Sequence, residues 1–598
     1  ASISVDGNMI ISGITTLGST SFTADATVNS VTVGKGANSV SNNTVLGQGA
    51  LDASVTGNNN TAIGRSALTN LTTGSKNTAV GQIALEDITT GTDNTAIGSD
   101  ALKQTTTGSN NTAVGVDALA ANTSSGNSAL GHSALAANTS GSGNIGVGKN
   151  SLLVNTTGNY NVAVGQNALD ANTTASNNTA VGHETLTANT TGAGNVAVGA
   201  NSLQSNTTAS NNTAVGYNAG SALTTGDNSV AVGRYALKDT TTGSGNVAVG
   251  LNSLEENTTG SNNVALGTQA LESNSTASNN VAVGYQALTT NSTGTSNTGI
   301  GYYALGGCTT GSSNNAFGHT ALDAAVTGSY NNAFGQNALG ANTSGHRNTG
   351  LGQDSLQANT TGYENTAVGN SALAQNTTGI YNVAVGGNAL DANTTSSYNT
   401  SVGHSSLTDS TGGDYNTAVG ASAGENITTG DNNLCLGLNA GRSSSPSGTI
   451  TTGSNNVVLG NNSISNLYCA DTSISSSDAR DKTDITDFTH GLSWIKELRP
   501  VTYRWDRRTW YSDDKSVTPD GSKKRERLHI GFLAQEAIEV EKKHGYAGKK
   551  DDMLIVNQDE DEADPSYGIK YERLVPVLVN AIKELSAEVE QLKSQLNN

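Results

Sequence analysis

The chain has 598 residues, of which 72 are glycine, only 4% are aromatic and 13% are charged, and its formal charge is −19. So few large apolar side chains exclude a string of conventional globular cores over most of its length, and the low charge density excludes a featureless disordered chain. The acidic balance argues against nucleic acid or an anionic membrane surface as partner, since both are held by clustered lysine and arginine.

In chain order, residues 1–37 alternate in strand-like fashion, with turn signals at Asp6-Gly7-Asn8 and near Gly18, and read as a β-rich lead-in. Ala1–Phe22 has no basic start followed by an apolar run, so no signal peptide is expected. No stretch approaches the ~18 apolar residues of a membrane span, so no membrane insertion is expected either. A first residue of alanine rather than methionine reads as a processed product or a fragment lacking an N-terminal anchor.

From residue 38 the chain repeats itself. Glycines closing Asn-Thr-Ala-Val-Gly-like runs fall at Gly47, Gly64, Gly81, Gly98 and Gly115, 17 apart. A step of 16 reaches Gly131, a 17-residue march runs from Gly148 to Gly437, and a longer step of 23 ends at Gly460. Self-similarity at a fixed period marks a solenoid or fibrous array. In the unit 365–381, Thr366–Val368 reads as a short strand with one buried face, and Ala372-Leu373 as a second short apolar element. Glycine and asparagine suit corners at positive φ, which β-branched residues resist. A coil this small cannot bury its apolar face alone, so repeats must stack or three chains must wrap one axis. Asn359, Asn376 and Asn393 are expected to form an amide ladder, and Phe317 and Phe334 to stack on successive units. Cys308, Cys435 and Cys469 are odd in number, far apart and without metal spacing. Cys435 stands in a small apolar position, so a buried thiol is expected there, and no metal or cofactor is implied.

Over about residues 38–465 this pattern resembles the β-rolls in the heads of trimeric autotransporter adhesins and the shaft repeats of phage tail fibres. The resemblance implies a trimeric fibrous β-structure, a β-roll or β-solenoid, with residues 38–437 as its regular shaft. Tyr381, Tyr398 and Tyr415 hold one phase of three successive units. Such a row is a candidate for stacking on sugars of a host glycan, with plain edge packing as the alternative. Residues 438–476 break the period and form an irregular tip; with Tyr468 they are a second receptor candidate. Aligned threonines leave an ice-binding solenoid open as a separate reading. A glycan depolymerase would need two opposed carboxylates, and the shaft offers only the adjacent pair Glu255 and Glu256.

Near residue 475 the composition changes. Residues 1–476 hold 9 of the 29 lysines and arginines, whereas Trp494, Trp505, Trp510 and every proline but Pro446 follow. A small α+β domain over 477–598 is expected. It opens with Ser475-Ser476-Ser477-Asp478-Ala479-Arg480-Asp481-Lys482. On spacing alone this is a weak signal: serine needs a base, and lysine serves only if burial lowers its pKa. The motif Ser477-Asp478-x-Arg480-x-Lys482 resembles the start of the C-terminal intramolecular chaperones of phage endosialidase tailspikes. Leu498-Arg499-Pro500-Val501-x-Tyr503 resembles that family's early strand. Gly531-Phe532-Leu533-Ala534-Gln535-Glu536 resembles its helix opening, and Tyr571-x-x-Leu574 with Ala581–Leu585 its exit helix. The resemblance implies a homotrimer that cuts itself between Ser476 and Ser477. Ser477 would be the nucleophile and Lys482 the base, with Asp478 and Arg480 holding the turn. It also implies a virion fibre that binds a host cell-surface receptor and other tail proteins, with the chaperone released in the host cytoplasm; a bacterial surface adhesin is the alternative.

Leu578, Ile582, Leu585, Val589, Leu592 and Leu596 are spaced 4, 3, 4, 3, 4, a heptad seam on a terminal helix. An amphipathic helix packed on its own domain fits the same spacing. The runs Lys523–Arg527 and Asp559–Asp564 read as solvated loops, or as charges that pair between chains.

Overall fold

A 17-residue coil holds one three-residue strand, and any one copy shows why. In the coil that starts at Asn365, the strand Thr366–Val368 buries Ala367 completely between two half-exposed neighbours. Gly369 follows at φ 135°, and a Cβ there would stand 2.6 Å from the carbonyl carbon of Gly386 in the next coil. Glycine is therefore required twice, by backbone conformation and by close approach. Ala372 and Leu373 are fully buried, as their apolar character predicts, but they form no second strand. Ser371 and Leu373 both sit at φ 53° and turn the chain. Left-handed backbone costs a leucine roughly 1–2 kcal/mol. Burying its whole side chain offsets this with about 1.5–3 kcal/mol, and its N–H also donates to the Ala389 carbonyl at 2.9 Å. The corners are thus not reserved for glycine and asparagine. Even the β-branched Ile83 and Thr320 adopt φ of 62° and 51°.

The computed structural model describes residues 25–465, 485–511, 517–558 and 566–597. The chain divides into two compact units, residues 1–404 and 405–598.

In the first unit, β1 (Ala26–Val28) and β2 (Val31–Gly34) make an antiparallel hairpin turning at Asn29 and Ser30, both at positive φ. Two left-handed turn residues match the twist of the flanking strands. β2 then pairs antiparallel with β3 (Thr44–Gly47), so the hairpin covers the edge of the first coil. From β3 onward every strand is parallel and in register with the next, through β4 (Thr61–Ile63) to β24 (Thr400–Val402). Val162, Ala163 and Val164, for instance, face Thr179, Ala180 and Val181. The molecule is mainly β, a β-solenoid of 17-residue period whose ladder runs between successive coils of one chain.

Its interior is partly polar. Asn376 Nδ2 donates to Asn359 Oδ1 at 2.9 Å, and Asn393 to Asn376 at 2.8 Å, as expected for a ladder. The second amide proton of Asn376 reaches the Gly379 carbonyl at 3.1 Å. A second ladder runs one step before each strand: Asn365 Oδ1 accepts the backbone N–H of Asn382 at 3.0 Å, and Asn365 Nδ2 donates to Gly379 O at 2.8 Å. These asparagines are fully buried, and an amide with every group paired avoids the cost of burial. Threonine hydroxyls are also used internally, Thr377 Oγ1 donating to the Thr394 carbonyl at 2.9 Å. Phe317 and Phe334 stack at 4.7 Å with planes 6° apart, and Cys308 is fully buried, its thiol pushed up to about 12 by desolvation.

The second unit contains three further parallel strands, β25 (Thr417–Val419), β26 (Leu434–Leu436) and β27 (Val457–Leu459). Cys435 is buried at the centre of β26. The 23-residue step is absorbed by an extra turn at 442–448, where Ser445 N–H donates to the Arg442 carbonyl at 2.8 Å, and Ile450 returns to the interior. The C-terminal domain follows. It comprises α1 (Leu492–Glu497), the antiparallel pair β28 (Val501–Tyr503) and β29 (His529–Gly531), and α2 (Ala534–Lys543). The antiparallel pair β30 (Val556–Gln558) and β31 (Tyr567–Ile569) and the 23-residue helix α3 (Leu574–Leu596) complete it. Its core gathers Trp494, Leu498, Ala537, Ile538, Ile555, Val556, Leu574 and Val577. Among the described residues no helix is long and apolar enough to cross a membrane.

Candidate active site and the C-terminal domain

Of the residues singled out in the sequence, Tyr468, Cys469, Ser476, Ser477, Asp478, Arg480 and Lys482 lie outside the described residues. The three motif residues beyond them meet where β29 passes into α2. Gly531 ends β29, and a Cβ on it would stand 2.3 Å from the Tyr571 hydroxyl oxygen. That hydroxyl accepts the Phe532 N–H at 3.1 Å. The glycine of the motif and the tyrosine before α3 therefore need each other: one leaves the space that the other fills. Gln535 is exposed on the first turn of α2 and lines a cavity of about 450 Å³ with Tyr503, Trp505, Phe532 and Tyr567. Glu536 is held by Arg499, whose Nε lies 3.0 Å from Oε2 and whose Nη2 reaches Oε1. The paired guanidinium holds the Glu536 carboxyl below its ordinary range and raises Arg499 in turn. So the early-strand arginine and the helix-opening glutamate, read separately in the sequence, are one ion pair.

A residue the sequence reading passed over fixes the other end of α2. Glu541 is fully buried, and its carboxylate accepts three backbone N–H groups: Leu554 at 2.9 Å, Ile555 at 2.6 Å and Val556 at 2.9 Å. The signal was available, because Glu541 lies three and four residues after the buried Ile538 and Ala537, on the apolar face of the helix.

The exit helix has two faces. Leu574, Val577 and Ala581 are buried against the domain. The seam residues Leu578, Ile582, Leu585, Val589, Leu592 and Leu596 are all exposed, Ile582 to 67% and Leu596 to 83%. The domain thus covers a different face from the heptad seam.

The basic run Lys523–Arg527 is exposed but not merely solvated. The Arg525 guanidinium lies 5.0 Å over the Trp510 ring and donates to the Asn462 carbonyl, and Arg507 lies 4.5 Å over Trp505. The acidic run begins at Asp559, and all of it lies outside the described residues.

Residues 477–546 match the family model described as the chaperone of endosialidase, a peptidase family. The match opens on Ser477 and runs through α1, β28, β29 and α2; β30, β31 and α3 lie beyond it. Comparison with the curated proteins and with the solved structures returned no match. The match marks the C-terminal domain as an intramolecular chaperone behind a β-solenoid, and the family implies autoproteolysis.

In the solenoid, Tyr381 and Tyr398 stack at 5.0 Å with planes 16° apart, so these ring faces meet each other. Tyr415 is exposed in the second unit. Glu255 is paired with Lys238 at 3.1 Å.

Proposed function

We propose that this chain is a homotrimeric phage tail fibre whose β-solenoid shaft is assembled by the C-terminal domain, which then cuts itself off before Ser477. The observation that carries this reading is the family match starting on Ser477 directly behind a solenoid of some four hundred residues. In the reaction, Ser477 Oγ attacks the carbonyl carbon of Ser476 while the Lys482 amine takes the hydroxyl proton. The Ser476–Ser477 C–N bond breaks, the proton passes to the departing Ser477 nitrogen, and an ester joins Ser476 to the Ser477 oxygen. Water hydrolyses that ester to a Ser476 carboxylate and a free Ser477 hydroxyl. The exposed heptad seam of α3 supports assembly, because a row of six apolar residues on a helix face is what partner helices cover. The shaft would reach a host cell-surface receptor, a glycan being one class, through the tyrosine rows or residues 438–476. Other tail proteins would hold its opposite end in the virion. The chaperone would be released in the host cytoplasm.

A denaturing gel with intact mass tests the cut. The expressed chain should yield a fragment beginning at Ser477, while Ser477→Ala and Lys482→Ala stay full length. A folded parent that stays whole removes the catalytic assignment.

A further inference from the structure

α3 leaves the body of its domain at one place, and there it grips the segment that leads back to the cleavage motif. Beyond Val577, only Asn580, Ala581 and Glu584 of this helix are not exposed; every residue from Leu585 to Asn597 is. These three meet residues 488–492. Gly491 lies directly on the helix backbone, where a Cβ would stand 2.4 Å from Ala581 N and 2.5 Å from Asn580 C. Glu584 Oε2 accepts the Leu492 N–H at 2.7 Å, a group with no partner inside α1 because it begins that helix. Asn580 Nδ2 donates to the Phe488 carbonyl. One glycine without room for a side chain and two side chains reaching main-chain groups make a clasp, fixed 92 residues across the sequence.

We infer that Asn580 and Glu584 are positioning residues for the self-cleavage, coupling assembly of α3 to the Ser477–Lys482 segment. This rests on the reading that the chain cuts itself before Ser477. Phe488 follows Lys482 by only six residues, so at no more than ~3.6 Å per residue the clasp limits where the base can lie. Every residue of α3 beyond Glu584 is exposed among the described residues, and this stretch carries four of the six seam residues. An isolated stretch of a dozen residues is a marginal helix, and packing against partner helices makes it firm. What partner helices do to that exposed stretch reaches the domain first at Glu584. The clasp therefore lets an assembled helix hold residues 488–492, the stretch that follows Lys482. The groups act through main-chain hydrogen bonds and touch no reacting atom.

The test is the first-order cleavage rate of the full chain, made by cell-free synthesis and read only in the trimeric fraction separated by size. Glu584→Leu keeps the bulk and removes the acceptor; it should trimerise and cleave at least tenfold more slowly. Glu584→Gln keeps an oxygen that can accept the Leu492 N–H and should recover at least half of the parental rate. A purely structural role would lower the amount of trimer and leave the rate within it unchanged. If Glu584→Leu does not trimerise, Asn580→Ala decides by the same criterion. Parental rates within the trimers of the deciding variant, alongside an uncut Ser477→Ala control, overturn the clasp and leave the cleavage site standing. A parent that never cuts removes both.

Discussion

The solenoid and the C-terminal domain solve the same problem, burying backbone polar groups, by opposite means. In the solenoid each coil bonds mainly to the coils before and after it, most often at a separation of 17 residues, with asparagine amides inside. In the C-terminal domain the decisive bonds join distant segments, Leu492 to Glu584 and Leu554–Val556 to Glu541, around a tryptophan-centred core. The first arrangement grows coil by coil once begun, and it places aggregation-prone strand edges at its ends until they are covered. The second folds as one cooperative unit with its own core. A domain of the second kind is suited to starting a structure of the first kind and then leaving it.

This difference predicts how lesions spread. Glu541→Ala leaves three N–H groups, two of them buried, without their acceptor and should destabilise the whole C-terminal domain by about 3–5 kcal/mol. Denaturant titration followed by tryptophan fluorescence should show one transition moved to lower concentration, with the solenoid's circular dichroism unchanged. Gly369→Ala forces a Cβ against the Gly386 carbonyl at φ 135° and should cost roughly 3 kcal/mol. Here hydrogen exchange should speed up in the neighbouring coils and stay at parental rates several coils away. If exchange accelerates throughout, the solenoid is as cooperative as a globular core and the contrast fails. Asn376→Ala removes the donor to Asn359 and to Gly379 O and should cost about 1–3 kcal/mol, again confined to adjacent coils.

The smallest effect belongs to Arg499→Ala. Its partner Glu536 is exposed, and the Arg499 hydrogen bond lowers its pKa in the folded state. A depressed carboxyl contributes stability that is present above the unfolded carboxylate pKa and lost as pH falls through the folded one. The variant should therefore match the parent at low pH and fall slightly below it near neutrality, and salt should narrow the gap. A gap that widens as pH falls contradicts the pairing.

The sequence made the shaft legible because its period is fixed: the strand, its buried alanine, the amide ladder at Asn376 and the Phe317–Phe334 stack all follow from spacing. Leu373 was not legible as a left-handed residue, because intrinsic backbone preference argues against it and only burial against the next coil overrides that preference. The second ladder, through Asn365, also escaped, since an asparagine beside a strand reads equally well as a corner. In the C-terminal domain the ordered motifs located β28, α2 and α3. The partnerships of Gly531 with Tyr571 and of Arg499 with Glu536 join residues far apart in the chain, and one sequence carries no sign of them. Ser477 and Lys482 rest on the motif and on the family match that opens at Ser477.

The proposal that the C-terminal domain assembles the shaft before leaving it can be tested directly. Sedimentation analysis should compare residues 1–476 released from the full chain with the same residues expressed alone. A stable trimer is expected in the first case and monomer or aggregate in the second. An identical trimer from both, or monomer from both, would contradict it.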